Sequence, residues 1–311
     1  MDLRQLKYFA RIVECGSLAK ASRQLFVAQP SLSQHIAKLE TEVGKPLLIR
    51  TAKGVTPTAS GVALHQHARF MLRQMDQALS IARQEPGSIY GMVSVGLAST
   101  TVCAVGAPLM RRVREKFPGI VLNVVEGMSG HLSQMMRQAQ LDLAILFGHD
   151  VIPDMPSEPL VEEELFVLLP NTSDLIPRHR KTLKCAEVSR LPLILPTGIH
   201  GLRRRISAEF EQRNLPLHIV AEIDSLTLLM SCVREGMGVT IKPMSAATLD
   251  GQMRKDWRTI AFSDANMKRA NYLYSVDPGH LTMAAAAVRT ELRETVVELT
   301  RSGVWQGVNL L

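Results

Sequence analysis

The fold of the N-terminal region follows from one stretch, Gly16-Ser17-Leu18-Ala19-Lys20-Ala21-Ser22-Arg23-Gln24-Leu25-Phe26-Val27-Ala28-Gln29-Pro30-Ser31-Leu32-Ser33-Gln34-His35-Ile36. Its apolar residues recur at helical spacing on both sides of a short break, which predicts two short helices around a tight turn. Ala21 is small enough to let two helices cross closely. Pro30 suits the first turn of the second helix, where its missing N–H is not needed.

The residues on either side complete a small domain. A preceding helix is predicted over residues 2–14 from the spacing of its apolar residues; Gly16 ends it and Ser17 caps the next. The following segment, 46–57, holds two short extended runs around Ala52-Lys53-Gly54. Together these features predict an all-α winged helix-turn-helix with a β-ribbon wing.

The polar residues left on the outer side of the third helix have chemistry suited to DNA. Gln can bond adenine through two hydrogen bonds, Ser can bond base edges or phosphates, and a helix N-terminus attracts phosphate. Basic wing residues can reach phosphates or the minor groove. The predicted DNA-contacting residues are Gln29, Pro30, Ser31, Ser33, Gln34, His35, Lys38, Arg50 and Lys53. The alternative is a plain three-helix scaffold with a solvated polar face.

Charge supports the DNA interpretation. Residues 1–90 carry twelve Lys or Arg and six Asp or Glu, so they hold +6 of the total net charge of +7. A concentrated positive charge favours salt-sensitive binding to phosphates. Another polyanion would satisfy the same pattern.

Composition bounds the class of protein. A chain of 311 residues with 46% apolar and 21% charged residues is typical of globular proteins, and its length favours two or more domains. It has no apolar run long enough for a membrane span and no signal-peptide pattern at its start, so we expect a cytoplasmic protein without membrane contact.

No catalytic or metal-binding motif is apparent. The chain has no Walker loop, HExxH, GxSxG or paired CxxC motif, and no base is recognisable beside a nucleophile, so we expect neither an enzyme nor a cofactor. The four cysteines, Cys15, Cys103, Cys185 and Cys232, lack metal-type spacing and fit a reducing compartment. A redox pair between two of them remains an alternative.

Residues 57–86 predict one long helix, with Thr56 as its cap and Pro57 in its first turn. Apolar residues alternate at spacings of four and three, which is typical of a coiled-coil seam; they are Leu64, Ala68, Met71, Met75, Ala78 and Ala82. An isolated helix of this length is marginally stable, so we expect it to pair with the same helix of a second subunit. Packing on the chain's own C-terminal domain is the alternative.

From residue 92 onward short apolar runs alternate with helical segments, which predicts a mostly parallel, covered sheet. Strands are predicted at 92–97, 120–125, 142–147, 165–169, 191–195, 219–222, 239–241 and 270–276. Helices are predicted at 101–117, 132–139, 202–214, 225–235 and 281–300. The charge run Glu162-Glu163-Glu164 is interpreted as a solvated turn.

Ligands of such sheets bind beyond the carboxyl ends of the strands, where helices begin. Hydroxyls and free N–H groups at these positions suit an anion such as a carboxylate. The predicted effector-binding residues are Ser99, Thr100, Thr101, Ser129, Phe147, His149, Thr197, His200, Arg203 and Ser225. The alternative for each hydroxyl is an ordinary helix cap, and for each histidine a solvated loop position.

The N-terminal region resembles LysR-type transcriptional regulators. The resemblance is carried by Leu6-Lys7-Tyr8-Phe9, by Ala28-Gln29-Pro30-Ser31-Leu32-Ser33, by Leu39-Glu40 and by Leu47-Leu48-Ile49-Arg50-Thr51. The stretch Leu48-Ile49-Arg50-Thr51, continued by Gly54-Val55-Thr56-Pro57-Thr58, is similar to the nitrogen-assimilation-control branch of that family.

The resemblance implies a C-terminal α/β domain like periplasmic solute-binding proteins, with two Rossmann-like subdomains. It implies a DNA-binding domain at 1–58, a linker and dimerisation helix at 59–87, and an effector-binding domain at 88–311. Subdomain I would comprise about 91–163 and 267–311, and subdomain II about 164–266. It also implies a homodimer or homotetramer on a near-palindromic operator in double-stranded DNA, with RNA polymerase as a further possible partner.

Three functional hypotheses are therefore open. The first is a DNA-binding regulator controlled by a small, anionic effector of unassigned identity. The second is a DNA-binding regulator that needs no effector. The third is a cytoplasmic solute-binding protein or enzyme whose N-terminal domain serves only for assembly.

Overall fold

The structure, a computed structural model, describes residues 1–51, 54–82, 89–148, 152, 155–249, 252–253, 256–276 and 281–311. Two compact units make up the chain, the first formed by its N-terminal region and the second by most of the remainder. None of the helices in these ranges is both long and apolar enough to cross a membrane.

The N-terminal unit begins with three helices, as the spacing of apolar residues predicted. They are α1 (Leu3–Cys15), α2 (Leu18–Leu25) and α3 (Gln29–Val43). The Asp2 side chain accepts a 2.7 Å hydrogen bond from the Gln5 N–H and caps α1. Gly16, at φ +60°, ends α1 in the left-handed conformation, and Ser17 caps α2. The predicted end of α1 at Gly16 and the predicted cap of α2 at Ser17 are confirmed.

The wing follows α3 as two antiparallel strands, β1 (Leu48–Thr51) and β2 (Gly54–Pro57). Gly54 has φ +133°, and a Cβ there would lie 2.6 Å from the Gly16 carbonyl oxygen. The Val55 N–H donates a 2.8 Å hydrogen bond to that same oxygen. The wing is thereby fixed to the turn between α1 and α2. The core beneath is formed by Phe9, Ile12, Ala21, Leu32, Ile36, Leu39, Leu47, Leu48 and Val55.

The linker helix α4 spans Ala59–Ala82, and it begins two residues later than predicted. Pro57 belongs to β2, and the Thr58 hydroxyl, in place of Thr56, accepts a 3.0 Å hydrogen bond from the Gly61 N–H. Residues 83–86 of the predicted helix lie outside the described residues. The first turns of α4 pack on α1, because Leu64 contacts the N-terminal core and Ala68 is fully buried.

The first sheet of the second unit has six strands in the order β16-β6-β15-β5-β3-β4. Three of them, β3 (Gly91–Ala98), β4 (Ile120–Gly127) and β5 (Leu143–Phe147), are parallel. The other three, β6 (Ser157–Glu164), β15 (Lys268–Ser275) and β16 (Val308–Leu310), pair antiparallel to their neighbours. The prediction of a mostly parallel sheet is therefore wrong for this half, because β6 takes the chain out of the sheet and β15 brings it back.

The second sheet is built from the residues between β6 and β15. Its four-stranded part has the order β11-β7-β14-β8, and a parallel pair of β9 and β10 is joined to β11 through a bridge between Leu193 and Val239. The strands are β7 (Phe166–Pro170), β8 (Thr182–Leu183), β9 (Leu193–Leu195), β10 (Ile219–Glu222), β11 (Thr240–Lys242) and β14 (Trp257–Phe262). A small hairpin, β12 (Thr248–Leu249) and β13 (Gln252–Met253), precedes β14.

Helices follow the strands as alternation predicted. They are α5 (Ser99–Thr101), α6 (Ala107–Lys116), α7 (Ser129–Arg137), α8 (Cys185–Val188), α9 (Gly201–Glu211), α10 (Leu226–Arg234) and α11 (Met283–Arg301). A π-helical turn at Val102–Gly106 joins α5 to α6. All four cysteines are free thiols, and burial raises the pKa of Cys185 to about 12, which suppresses its thiolate.

Candidate functional site

The outer face of α3 presents polar side chains to solvent. Gln29, Pro30, Gln34 and Lys38 are exposed, while Ser31 and Ser33 are half-buried. Leu32, Ile36 and Leu39 of the same helix are fully buried. The helical period therefore separates the predicted contact residues from the core, as a helix that lies in a major groove requires.

The wing contacts this helix directly. Arg50 of β1 donates a 2.9 Å hydrogen bond from Nη1 to the Ser33 hydroxyl. The contact holds a guanidinium beside the exposed face of α3, where a DNA phosphate could bind it. Lys53, the second basic residue predicted to contact DNA from the wing, lies outside the described residues.

His35 has a different environment from the other predicted residues. Its ring lies edge-on to that of Tyr8, with 5.2 Å between the ring centroids, and its Nδ1 atom is buried. The structure therefore places the His35 ring on the side of α3 that faces α1, against Tyr8. Its contact with DNA stays a prediction.

The N-terminus of α3 is open to a ligand. Its cap residue, Ala28, has no side-chain oxygen, so no side chain of the cap bonds the first N–H groups of the helix. Such groups attract phosphate.

Phe26, in the turn just before α3, was not singled out by sequence reasoning. It is 95% exposed and holds a left-handed backbone at φ 55°. The signal in the sequence was a large apolar residue in the short turn between two predicted helices.

A cavity of about 50 Å³ lies in the second unit, where the carboxyl ends of strands from both sheets meet. Its walls come from the segments that follow β3, β4 and β9, together with the ends of β5 and β11 and the start of β15. The lining residues include Ala98, Ser99, Thr100, Met128, Ser129, Phe147, His200, Asp224, Lys242 and Arg269. The cavity is therefore at the position where ligands of α/β sheets bind.

Five of the ten predicted effector-binding residues line this cavity: Ser99, Thr100, Ser129, Phe147 and His200. His149, a sixth, lies outside the described residues. The remaining four, Thr101, Thr197, Arg203 and Ser225, are not among the residues that line it.

Each of those four has a local structural role or position instead. Ser225 caps α10 by accepting a hydrogen bond from the Leu228 N–H, and Arg203 donates a 2.7 Å hydrogen bond to Glu222. Thr197 bonds Asp224, and Thr101 is fully buried. For Ser225 the alternative of an ordinary helix cap is the observed geometry.

Asp224 organises one side of the cavity. It accepts a 2.9 Å hydrogen bond from the Thr197 N–H and a 3.1 Å hydrogen bond from the Thr197 hydroxyl, and His200 Nε2 lies 3.1 Å from its carboxylate. Partial burial opposes ionisation, but these hydrogen bonds outweigh it and lower the pKa of Asp224. The carboxylate thus stays charged and holds His200 at the cavity wall.

Arg269 is the first of two cations that the sequence did not reveal. Its guanidinium lies 3.5 Å from the centroid of the Phe147 ring and donates a 2.9 Å hydrogen bond to the Thr100 hydroxyl. It also pairs with the Glu163 carboxylate at 2.7 Å. Stacking and pairing therefore fix the guanidinium in the cavity wall.

Glu163 belongs to the charge run that was interpreted as a solvated turn, and that interpretation is wrong. Glu162–Glu164 is the last part of β6, and Glu163 is fully buried opposite Arg269 in the register of β6 and β15. The alternation of a strand buries the middle residue of the run, while Glu162 pairs with Lys268 near the surface.

Lys242 is the second cation. It ends β11, is only 7% exposed and lines the cavity. Burial, assisted by repulsion from Arg269 and opposed by Asp224, lowers the pKa of Lys242 to about 7. Lys242 is a single lysine at the end of a short strand, and the sequence gives no signal that it is buried in a cavity wall.

The matching family models cover both units of the chain. The "LysR substrate binding domain" model matches residues 87–297, and the "Bacterial regulatory helix-turn-helix protein, lysR family" model matches residues 3–62. The chain belongs to the LysR family of transcriptional regulators.

Relatives of this LysR-family regulator are themselves named as regulators. It is 38% identical to the nitrogen assimilation regulatory protein nac of Klebsiella aerogenes over 79% of this chain and 80% of that protein. It is 37% identical to the protein of the same name from Escherichia coli K12, over the same shares of the two chains. It is accordingly a DNA-binding regulator with an effector-binding domain, not an enzyme.

Solved structures show the same fold. A full-length OxyR variant from Pseudomonas aeruginosa matches with a TM-score of 0.74 at 20% identity, covering 99% of this chain and 98% of that one. CbnR complexed with its target DNA matches with a TM-score of 0.66 at 21% identity, covering 95% and 100%. A peroxide-bound OxyR mutant of Corynebacterium glutamicum matches with a TM-score of 0.59 at 26% identity, covering 97% and 94%.

Proposed function

We propose that this LysR-family regulator recognises a near-palindromic operator with α3 of two protomers, and that a small anion in the cavity of the second unit changes its affinity for that operator. The observation that carries the DNA part is the exposed face of α3, with an open N-terminus at one end and Arg50 hydrogen-bonded to Ser33 beside it. Base-edge donors and acceptors, a phosphate site and a neighbouring cation are the groups that docking in a major groove uses.

Within this proposal the polar residues of α3 divide by role. Gln29, Gln34 and the two serines lie where base edges can be reached, while Lys38 and Arg50 neutralise phosphates. His35 positions α3 against Tyr8. Lys53 stays in the proposal as a wing contact with DNA.

The experiment uses a duplex selected from genomic fragments by repeated binding, together with a scrambled duplex of the same composition. Gln34→Ala should weaken binding to the selected duplex more than to the scrambled one, since a base contact costs about 1–3 kcal/mol only on the right sequence. Thr41→Ala, at an exposed position further along α3, serves as the matched control. Equal loss on both duplexes would assign Gln34 to phosphate contact alone.

We further propose that α4 pairs two protomers along the predicted seam. Leu64 and Ala68 pack on the N-terminal core, so the seam begins beyond them, where Met71 is 41% exposed and Ala78 and Ala82 are exposed. An exposed apolar row on a helix of this length favours a helical partner.

Analytical ultracentrifugation tests the pairing. Met71→Glu should shift the chain toward the monomer, because it puts a charge into the seam. Val62, on the same helix and 40% exposed, lies off the seam, so Val62→Glu should leave the association state unchanged. An unchanged state for Met71→Glu would place the dimer interface elsewhere.

We propose that residues 1–58 bind DNA, that residues 59–87 pair the two protomers, and that residues 88–311 bind the effector. Within the last, residues 91–163 and 267–311 form subdomain I and residues 164–266 form subdomain II. In the cytoplasm, two dimers would assemble on promoter DNA as a tetramer. Bound at the promoter, the protein can contact RNA polymerase.

The effector part of the proposal rests on the cavity. Its wall combines two buried cations with the hydroxyls of Ser99 and Ser129 at helix starts, a set that favours an anion. Thermal shift of the full chain against a panel of anionic and neutral metabolites tests it. Stabilisation by anions supports effector control, and its absence across a broad panel favours the effector-independent regulator.

A further inference from the structure

The turn between α2 and α3 exposes one aromatic ring. Phe26 is 95% exposed, the highest value among the large apolar side chains of the described residues. A single apolar side chain at a surface is common and by itself indicates no function. Phe26 differs from such residues because its backbone is unfavourable as well.

The backbone of Phe26 holds the left-handed conformation, at φ 55°. Among the non-glycine residues that the structure describes, only Ala139 and Asn214 also have a positive φ. For a bulky side chain this conformation is sterically unfavourable, whereas glycine adopts it without strain. Residues strained in this way are concentrated at functional sites. Exposure and strain at the same residue therefore indicate a role in binding.

Hydrogen bonds fix this turn. The Phe26 N–H donates to the Ser22 carbonyl, which also accepts a 3.2 Å hydrogen bond from the Val27 N–H. The Ser22 hydroxyl donates a 2.7 Å hydrogen bond to the Val27 carbonyl. The backbone around Phe26 is thus held in place before a partner binds, which lowers the entropic cost of binding through its ring.

The position of the turn relates Phe26 to the proposed DNA surface. Phe26 lies two residues before Ala28, the cap residue of α3, and both Gln29 and Pro30 that follow are exposed. In helix-turn-helix proteins the N-terminal residues of this helix contact base edges, while the helix before it crosses the DNA backbone. We therefore expect the turn that joins the two helices to lie at the edge of the major groove.

The neighbours of Phe26 favour DNA over a protein partner. The exposed residues within three positions of it include a cation, Arg23, and two amides, Gln24 and Gln29. Aromatic anchors of protein interfaces lie in a contiguous core that is depleted of charged residues. A lone ring beside a guanidinium and two amides matches instead a groove that presents apolar groups next to phosphates.

The major groove offers one apolar group at its base edges, the C5-methyl group of thymine. Apolar side chains, phenylalanine among them, recognise thymine by contact with this methyl group. The other groups at the base edges are hydrogen-bond donors and acceptors, which a phenyl ring cannot satisfy.

We propose that Phe26 packs on the C5-methyl group of one thymine in each operator half-site and thereby contributes to sequence preference. The inference rests on the proposed recognition of the operator by α3. It adds to that recognition a base-contacting residue outside the helix.

The test replaces thymine with deoxyuridine in the selected duplex, one position at a time in both half-sites. The replacement removes the methyl group and leaves the hydrogen-bonding groups of the base pair unchanged. Fluorescence anisotropy with the full-length wild type should show one position at which affinity falls by roughly fourfold for each contacted methyl group, and so by about 15-fold for the two half-sites together.

Three variants isolate Phe26. Phe26→Gly removes the ring and fits the left-handed backbone, so it should fold and melt at or above the temperature of the wild type. It should bind the thymine duplex at least as weakly as the wild type binds the deoxyuridine duplex, and replacement of that thymine should cost it nothing more. Phe26→Tyr keeps the ring and should keep the sensitivity to deoxyuridine. Val43→Ala, at a 39% exposed position in the last turn of α3, is the matched control and should behave as the wild type.

The outcomes separate this inference from the proposed function. A wild type that prefers the selected duplex but tolerates deoxyuridine at every position would overturn the inference alone, as would a Phe26→Gly variant that keeps the sensitivity of the wild type. An equal loss for Phe26→Gly on the selected and scrambled duplexes would overturn it by assigning the ring to the DNA backbone. A change in association state with DNA affinity intact would overturn it by assigning the ring to a protein contact. Equal affinity of the wild type for the selected and scrambled duplexes would overturn the proposed function and the inference together.

Discussion

The guanidinium of Arg269 lies 2.7 Å from the carboxylate of Glu163, and the two side chains are 5% and 0% exposed. Their backbones are direct register partners on β15 and β6, the strands that join the two sheets of the second unit. The pair therefore fixes the connection between the sheets and holds Arg269 at the cavity.

Removing one partner should destabilise the second unit strongly. Glu163→Gln leaves the Arg269 charge buried without compensation, which costs about 3–5 kcal/mol of unfolding free energy. Glu162→Gln is the matched control, since Glu162 pairs with Lys268 at 2.9 Å near the surface and should cost less than about 1 kcal/mol. Urea unfolding measures both, and equal losses would contradict the argument from burial.

The contact between Arg50 and Ser33 yields a prediction for DNA binding. Arg50→Ala should weaken binding to the selected and scrambled duplexes by similar factors and lower the slope of log affinity against log salt by about 1, as expected for one phosphate contact. Salt titrations by fluorescence anisotropy measure the slope. A loss confined to the selected duplex would instead assign Arg50 to base contact.

Gly61 lies in the first turn of α4, against the N-terminal domain. A Cβ at this position would lie 2.0 Å from the Leu47 carbonyl oxygen, so Gly61→Ala forces the backbone apart. We expect it to cost about 1–3 kcal/mol. Gly130, near the start of α7, has nothing within 4 Å of such a Cβ, and Gly130→Ala should be neutral or slightly stabilising. Thermal unfolding compares the two, and tolerance of Ala at Gly61 would refute the close approach.

His65 makes the N-terminal unit sensitive to acid. Burial against Phe9, with repulsion from Arg69, lowers the pKa of His65 below its ordinary value of 6.5. The unfolded chain therefore binds the proton more tightly, so stability is complete above about pH 6.5 and falls as the pH decreases through that value.

His65→Gln should flatten the stability profile between pH 7 and pH 5, as measured by urea unfolding of the full chain followed through the N-terminal transition. His67→Gln, at an exposed position on the same helix, should leave the profile as it is in the wild type. Identical profiles for His65→Gln and the wild type would show that another group carries the dependence.

The sequence was sufficient for elements with strong local signals. Gly16 and Ser17 marked the end of α1 and the start of α2, and helical periodicity separated Leu32 and Ile36 from Gln34 on α3. The repeated alternation of apolar runs and helices located most strands of the second unit. These features follow from propensity and period, which act between neighbouring residues.

What the sequence did not predict depends on pairing between distant residues. Glu163 is compensated by Arg269, which is more than a hundred residues away, so a run of three glutamates looked like a solvated turn. Lys242 and Arg269 line the cavity because two sheets meet there. No local sequence pattern predicts which residues the two sheets bring together. Ser225 and Thr197 were predicted as ligand-binding hydroxyls, but Ser225 caps α10 and Thr197 bonds Asp224, 27 residues further along the chain.

Recognition of DNA sequence by α3 is tested by fluorescence anisotropy of the full-length chain. The titration compares the selected genomic duplex with its scrambled counterpart at about 150 mM salt. We expect the wild type to bind the selected duplex roughly 10³-fold more tightly or better, and Gln34→Ala to remove part of this preference. Equal affinity of the wild type for both duplexes would contradict it.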